Sequence, residues 1–477
     1  MAEELRVRII RDFAGIEEIR EVWSAWHNHP NSDIDFYLTI LRSMPGEVRP
    51  YIVMLYRGEA PQAMLIGRLE NGQIDLKFGY KTLLKPKARV LTFIYKGLLG
   101  DASEENTKAL VQEVIDSLKR NEADAAMLGH VRLQTPLCEL GAAMPGFLCR
   151  DHGTSATMHR SMTLPNNMEE VYAALSSKSR KTLKTKMKKF VSDFPGQVRI
   201  RTFRTEADFD DMMRDIEQIA AKTYQRGLGV GFDTSAAMRE RLHLEIAMGW
   251  LRSFVLYIDE KPCAFWIGKL YQNSFCSDSM GYDPAYSKHS PGMYLIMQVV
   301  EYFCGEHSED RAQQIDFGFG DAQYKTVLAD QEWQESSLYI FARSWKGIGI
   351  NLLRMPTAWL NHQAQEFLNK TSLLVKVKRL WRDRIMKPGQ PGTVGGVTLG
   401  PCRTPARKTG HGLSFGSVDA VKRAWDNKRC TNRAHSEQGR QVACDDEEDF
   451  VGTGHPACRN QRICSQPLHT RGSQRRE

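Results

Sequence analysis

The chain has 477 residues, 42% of them hydrophobic, and a net charge of +8. That length exceeds one ordinary domain, and that apolar content supports real cores. Residues 388–477 hold 14 Lys and Arg against 9 Asp and Glu, a net +5, so residues 1–387 carry only +3, which argues against a dedicated nucleic-acid binder.

The ten cysteines form no CxxC pair, and no His stands at zinc-finger spacing from them, so reduced thiols and no metal are expected. The N-terminus, MAEELRVRII, carries acids where a signal peptide needs bases, and no apolar run approaches the roughly 20 residues of a membrane span. A soluble, cytoplasmic protein is expected.

In chain order, residues 13–44 predict helix: Phe13, Ile16, Ile19, Val22, Trp23 and Trp26 recur at helical spacing until Pro30-Asn31-Ser32 breaks the run. Residues 51–56 and 62–69 predict a hairpin closed by Arg57-Gly58-Glu59-Ala60-Pro61, with a further turn at Glu70-Asn71-Gly72. Residues 80–100 read as a long basic loop. A helix over 103–120 and a short buried strand over 125–128 follow.

The second half repeats the pattern. Strands at 254–258 and 263–270 flank the turn Asp259-Glu260-Lys261-Pro262. Aligning 55–69 with 256–270 makes 8 of 15 residues coincide at an offset of 201. We read two copies of one α/β unit, residues 1–160 and 161–345.

Between the copies, residues 161–165 read as a strand or linker and 168–175 start a helix. Residues 177–189 hold seven Lys or Arg and no acid, with Leu183, Met187, Phe190 and Phe194 at helical spacing: an amphipathic basic helix. A strand at 198–203, a helix over 205–224, a flexible Gly-rich break at 227–231 and a helix over 234–250 come next. Residues 346–387 read as C-terminal basic helices. Residues 388–477, rich in Gly, Pro, Arg, Ser and Thr, cannot offset the entropy of ordering and are expected to be disordered.

The chemistry concentrates in residues 274–325. A polar strand, 274–281, presents Ser277 and Asp278. Ser290-Pro291-Gly292-Met293-Tyr294 opens a helix whose free amides and dipole suit a pyrophosphate. A strand at 314–317 runs into Gly318-Phe319-Gly320-Asp321, whose glycines let the backbone splay. Asp316 or Asp321 suits proton removal or orientation of an acceptor, while Tyr324 and Lys325 suit oxyanion or phosphate contact. Asp321 suits a helix cap equally well. Ser179 and Arg180, at the start of the basic helix, are candidate ligand contacts; a solvated face is the plainer reading of that charge run.

Ser177-Lys178-Ser179-Arg180-Lys181, Gly281-Tyr282-Asp283-Pro284 ahead of Ser290-Pro291-Gly292, and Asp316-Phe317-Gly318-Phe319-Gly320-Asp321 closed by Tyr324-Lys325 resemble the GNAT acyltransferase superfamily. Within it they are most similar to the branch associated with cellulose and exopolysaccharide biosynthesis, related to the peptidoglycan aminoacyl transferases. The resemblance is best over 160–345 and fainter over 1–160. It implies a mixed-sheet α/β fold with tandem GNAT-like domains, to which the residue pattern adds the C-terminal helices and the disordered tail. It also implies acyl-CoA, usually acetyl-CoA, as co-substrate between two parallel strands, its pyrophosphate on the amides of residues 290–294, and direct transfer to an amine or hydroxyl of a small-molecule or glycan-precursor acceptor. His289-Ser290-Pro291-Gly292-Met293 replaces the family's Arg/Gln-x-x-Gly-x-Gly/Ala loop, which keeps acyl-carrier protein and aminoacyl-tRNA open as donors. DNA is not expected as a partner and tRNA is disfavoured; the alternatives are an aminoacyl-tRNA-dependent transferase and a non-catalytic scaffold in peripheral contact with a membrane through the basic residues 372–386. The first copy, lacking a Ser-Pro-Gly equivalent, is expected to bind no donor and to wall the acceptor cleft.

Overall fold

The computed structural model describes residues 4–43, 48–78, 81–223, 226, 231–304, 310–320 and 322–370. Strand β1 (Leu5–Ile10) leads into helices α1 (Phe13–Glu18) and α2 (Arg20–Trp26), the 3₁₀ turn Pro30–Ser32 and α3 (Ile34–Ser43). The hairpin β2 (Arg49–Arg57) and β3 (Ala60–Gln73) follows, then the short pair β4 (Leu76–Phe78) and β5 (Lys81–Leu84). Next come β6 (Lys87–Gly100), α4 (Glu104–Lys119), β7 (Ala125–Arg132) and α5 (Pro136–Ala143).

After β8 (Thr157–Thr163), which closes the first half, the second runs α6 (Met168–Ala174), α7 (Ser177–Asp193), β9 (Val198–Phe203), α8 (Phe209–Ala220), α9 (Ala236–Ala247), β10 (Leu251–Ile258), β11 (Lys261–Tyr271) and β12 (Ser274–Tyr282). The 3₁₀ turn Pro284–His289, α10 (Pro291–Cys304), β13 (Gln314–Phe319), α11 (Gln323–Leu328), β14 (Gln331–Phe341) and α12 (Trp345–Lys370) complete it.

Twelve strands form one sheet in the order β1-β2-β3-β6-β7-β14-β8-β13-β12-β11-β10-β9. The order reads the same way inward from either edge. Three antiparallel pairs end in one parallel pair, β6 with β7 on one side and β12 with β13 on the other. The repeat reaches individual residues. The β2–β3 register slips between Leu55 and Tyr56 and the β10–β11 register between Leu256 and Tyr257, 201 residues on. Gly67 lies under the Phe93 ring, and Gly268, again 201 residues on, under the Phe275 ring. The two halves are copies of one α/β unit.

The copies also exchange strands at the centre. β8 pairs with β13, while β14 pairs with β7 of the first half and with β8 itself. The expected boundary at residue 160 falls inside β8. In the second half α6, α7 and α10 bury one sheet face around Phe190, Trp266, Phe275 and Phe303, and α8 and α9 bury the other around Met212, Ile216 and Leu242. In the first half α4 and α5 cover one face and α1 to α3 the other. Each face is covered because the strands are apolar on both sides: Ile52 to Leu55 and Phe254 to Ile258 are continuously buried.

Some local expectations require correction. Glu70-Asn71-Gly72 is not a turn but the continuation of β3, because Glu70 is held inside the sheet by Arg68 Nε (2.9 Å) and by Thr92 Oγ1 of β6 (2.8 Å). Residues 87–100 of the expected basic loop are strand β6: Ala88, Val90, Leu91, Phe93 and Ile94 are buried and outweigh the lysines around them. The basic helix stands as read, with Leu183 and Phe190 buried. Residues 227–230 of the Gly-rich break, residues 371–387 of the expected C-terminal helices, and all of 388–477 lie outside the described residues.

Candidate active site

β12 and β13 run parallel for only three rungs, from Ser274↔Gln314 to Cys276↔Asp316. Beyond that rung each strand follows its other neighbour, β12 along β11 and β13 along β8, so a slot opens between them. Both strands are irregular at the mouth of the slot. β12 bulges at Asp278, since Gly268 pairs with Ser277 and Ile267 with Ser279. β13 slips between Asp316 and Gly318, and Gly318 (φ +70°) and Gly320 (φ +113°) adopt conformations that favour glycine. Lys325 braces this bend. It is buried, and its ammonium donates to the carbonyls of Phe317 (2.8 Å) and Phe319. The Tyr324 ring stands edge-on to Phe317 at 5.7 Å, and burial raises its hydroxyl above the ordinary tyrosine range. Asp321 lies outside the described residues.

Beside the slot α10 begins. Ser290 sits in the left-handed region (φ +53°) at the end of the 3₁₀ turn Pro284–His289, not in the extended backbone of an N-cap, and it passes the chain to Pro291 at the first helical position. Tyr294 stacks on Phe190 at 4.2 Å and Met293 packs on the same core; the Ser290 and Tyr294 amides donate to the carbonyls of Ser287 and Ser290 (3.1 Å each) and Pro291 has no N–H, so of residues 290–294 the anion expected there has the Gly292 and Met293 amides to meet. A side chain at Gly292 would meet only the Tyr282 ring, at an ordinary 3.5 Å. No acid stands in the first turn of α10, and Lys288 and His289 precede it. The matching helix of the first copy, α4, opens on Glu104 and Glu105. Those charges oppose a phosphate at that N-terminus.

The other anticipated contacts have structural partners. Ser277 Oγ accepts from Trp266 Nε1 at 2.9 Å. Asp278 points to the α9 side, 2.6 Å from Arg241, within a buried four-charge group completed by Glu245 and Lys269 (2.9 Å from each other). Ser179 meets the capping Ser176 hydroxyl at 2.9 Å, and Arg180 holds the carbonyls of Ala173 (3.0 Å) and Leu175 (3.2 Å), fastening α7 to the end of α6. Arg180 also lines a groove with Met168, Glu169, Tyr172 and Lys184.

Asp316 is brought together with residues that no sequence pattern groups. His159 of β8, almost fully buried, places Nε2 2.6 Å from Asp316 Oδ1 and stacks on Trp333 of β14 at 4.4 Å. Its Nδ1 faces Glu335 (3.7 Å) and the Tyr95 hydroxyl of β6 (3.5 Å). Phe319 and His130 close the aromatic wall, 4.3 Å apart. Burial alone draws the His159 pKa down, but Asp316 and Glu335 more than offset it and raise it to about 9. Burial pushes Asp316 up, yet the His159 charge and hydrogen bond, His29 and the Gly318 amide (2.7 Å) hold it well below the ordinary carboxylate range. At neutral pH the pair is imidazolium and carboxylate. The one sequence signal was the alternation Thr157-Met158-His159-Arg160-Ser161-Met162, which lies mostly ahead of the expected start of that strand.

His29, Cys276 and Asp316 bring a ring nitrogen, a thiol and a carboxylate oxygen within 4.8 Å of one another. This set does not fit a metal. His29 Nδ1 accepts the Asn31 amide at 3.1 Å, so its Nε2 carries the proton and neither nitrogen offers a spare lone pair.

Residues 177–326, which contain the slot, α10 and the glycine bend, match the family model described as "Acetyltransferase (GNAT) domain". The second unit is therefore a GNAT-type domain. No curated protein matches the chain. Among solved structures, FemX matches at 10% identity and TM-score 0.43, covering 70% of this chain and 97% of its own. A tandem GNAT protein from the clavulanic acid biosynthesis pathway matches at 10% identity and TM-score 0.42, covering 71% and 99%. A GCN5-related N-acetyltransferase from Kribbella flavida matches at 9% identity and TM-score 0.33, covering 71% of each. Likenesses this distant leave the substrate to be read from the site.

Proposed function

We propose that the protein is an acyltransferase that takes an acyl group from a thioester, acetyl-CoA or another acyl-CoA, held between β12 and β13. The observation that carries this reading is the parallel pair that parts after Cys276 and Asp316 beside α10, whose own first turn carries no acid, inside the segment that matches an acetyltransferase model. The first-turn amides and helix dipole of α10 suit a pyrophosphate. The opposing glutamates on α4 support a single donor site per chain.

The acceptor enters where the units meet, between Tyr95 and His130 of the first and Asp316 and Phe319 of the second. Its amine or hydroxyl attacks the thioester carbonyl; the new C–N or C–O bond forms as the C–S bond breaks, and the acceptor's proton ends on the thiol. The aromatic wall and the ionised Asp316 suit an acceptor with a cationic or hydroxyl-bearing end, such as an amino sugar or polysaccharide precursor. Among the described residues no helix is long and apolar enough to cross a membrane.

Thermal unfolding with CoA, acetyl-CoA and longer acyl-CoAs tests the donor. Stabilisation that grows with ligand concentration is expected. No shift with any thioester or with acyl-carrier protein would contradict the reading.

A further inference from the structure

His29 belongs to the first unit, yet it reaches the last rung of the second unit's slot. A ring nitrogen lies within 4.8 Å of Cys276 Sγ and of an Asp316 oxygen. Two contacts hold the ring and a third holds its backbone. Its edge meets Tyr95 at 5.1 Å and 82°. Its Nδ1 accepts the Asn31 amide at 3.1 Å, and its own carbonyl accepts Ser32 Oγ at 3.1 Å. The 3₁₀ turn Pro30–Ser32 is itself anchored to the first unit's core, because the fully buried Trp23 donates its indole N–H to the Ser32 carbonyl at 2.8 Å.

That anchoring fixes the tautomer. A backbone N–H aimed at Nδ1 leaves Nε2 as the protonated nitrogen, and it also opposes a second proton on Nδ1. Burial pushes the ring's pKa down to about 3; Asp316 pulls it up, while Lys96, His159 and Lys269 push it down further. Among the described residues Nε2 makes no protein hydrogen bond. The result is a rigid, neutral N–H donor at the end of the slot, where a thioester carbonyl held between β12 and β13 would lie.

We infer that His29 is a catalytic residue contributed by the first unit, donating its Nε2 proton as a hydrogen bond to the donor's thioester oxygen. This rests on the donor reading above. As the acceptor attacks, the carbonyl π pair moves onto oxygen and the His29 N–H stabilises that charge. When the carbonyl reforms, the C–S pair leaves on sulfur and the acceptor's proton passes to the thiolate. His29 keeps its proton throughout, and because the Asn31 amide engages its Nδ1 lone pair it serves as a hydrogen-bond donor and not as the base.

The test uses the full chain and acetyl-CoA labelled with ¹³C at the carbonyl. Infrared difference spectra of the bound ligand are expected to show the carbonyl band at lower frequency than in solution. His29→Phe keeps a ring against Tyr95 without a donor; it should return the band to its solution frequency and lower kcat by about 10²–10³-fold, with KM for acetyl-CoA little changed. His29→Gln, which restores an N–H, should recover part of both. His29→Leu serves as a second donor-free variant if the phenylalanine ring does not fit, with melting curves recorded for each. Bound acetyl-CoA with the same carbonyl frequency in wild type and the donor-free variants overturns the role of His29 and leaves the donor reading standing. Failure of acetyl-CoA, longer acyl-CoAs and acyl-carrier protein alike to bind overturns both.

Discussion

His159 Nε2 lies 2.6 Å from Asp316 Oδ1, and this one contact ties the strand that leaves the first unit to the strand that forms the second unit's slot. Asp316 and Glu335 outweigh burial and raise the His159 pKa from the ordinary histidine value, about 6.5, to about 9 in the folded state. A raised pKa means that the folded state holds the proton more tightly. The stabilisation is complete below the unfolded value and is lost as pH rises through the folded one. Urea unfolding at pH 6.5 and pH 9.5 should therefore differ by an amount on the order of 3 kcal/mol, and His159→Gln should remove most of that difference. An equal pH dependence in both proteins would show that the pair does not hold its proton.

Lys325 is expected to matter for the shape of the slot. Lys325→Met keeps the chain's volume but strips the donor from two buried carbonyls, Phe317 and Phe319. A loss of about 2–4 kcal/mol should follow, with faster amide exchange in β13 and β8. Loss of turnover with stability and exchange unchanged would instead place the ammonium in the chemistry.

Two glycines separate backbone strain from crowding. Gly318 has φ +70°, and a side chain there would meet nothing within 4 Å. Gly318→Ala should cost only about 1–2 kcal/mol, the left-handed penalty alone. At Gly268 an added Cβ would stand 2.5 Å from the Phe275 ring and 2.6 Å from the Cys276 carbonyl, so Gly268→Ala must move β12. Denaturant midpoints should rank Gly268→Ala well below Gly318→Ala; the reverse order would contradict the packing described here.

Elements set by local pattern were readable in the sequence. The hairpins at 55–69 and 256–270, the basic helix with Leu183 and Phe190 inward, and the glycine bend at 318–320 all follow from spacing and residue type. The exchange of β8 and β14 was not, since neither strand carries a mark that says which half it pairs with. The composite cluster was hidden for the same reason. His29, Tyr95, His159 and Glu335 are scattered over 300 residues and meet only once the two copies share one sheet. Residues 80–100 misled because four lysines and an arginine are spread through the stretch while the buried positions, Val90, Leu91 and Phe93, decide the strand.

The donor site is tested most directly at Gly292, by calorimetric titration of acetyl-CoA into wild type, Gly292→Ala and Gly292→Asp. The alanine methyl would meet only the Tyr282 ring at 3.5 Å, so Gly292→Ala should bind within a few-fold of wild type. Gly292→Asp sets a carboxylate among the first-turn amides of α10, where a pyrophosphate would sit, and should abolish measurable binding while the fold is retained. Equal affinity in Gly292→Asp and wild type, or no binding of acetyl-CoA to any of the three, would contradict the placement of an acyl-CoA donor between β12 and β13.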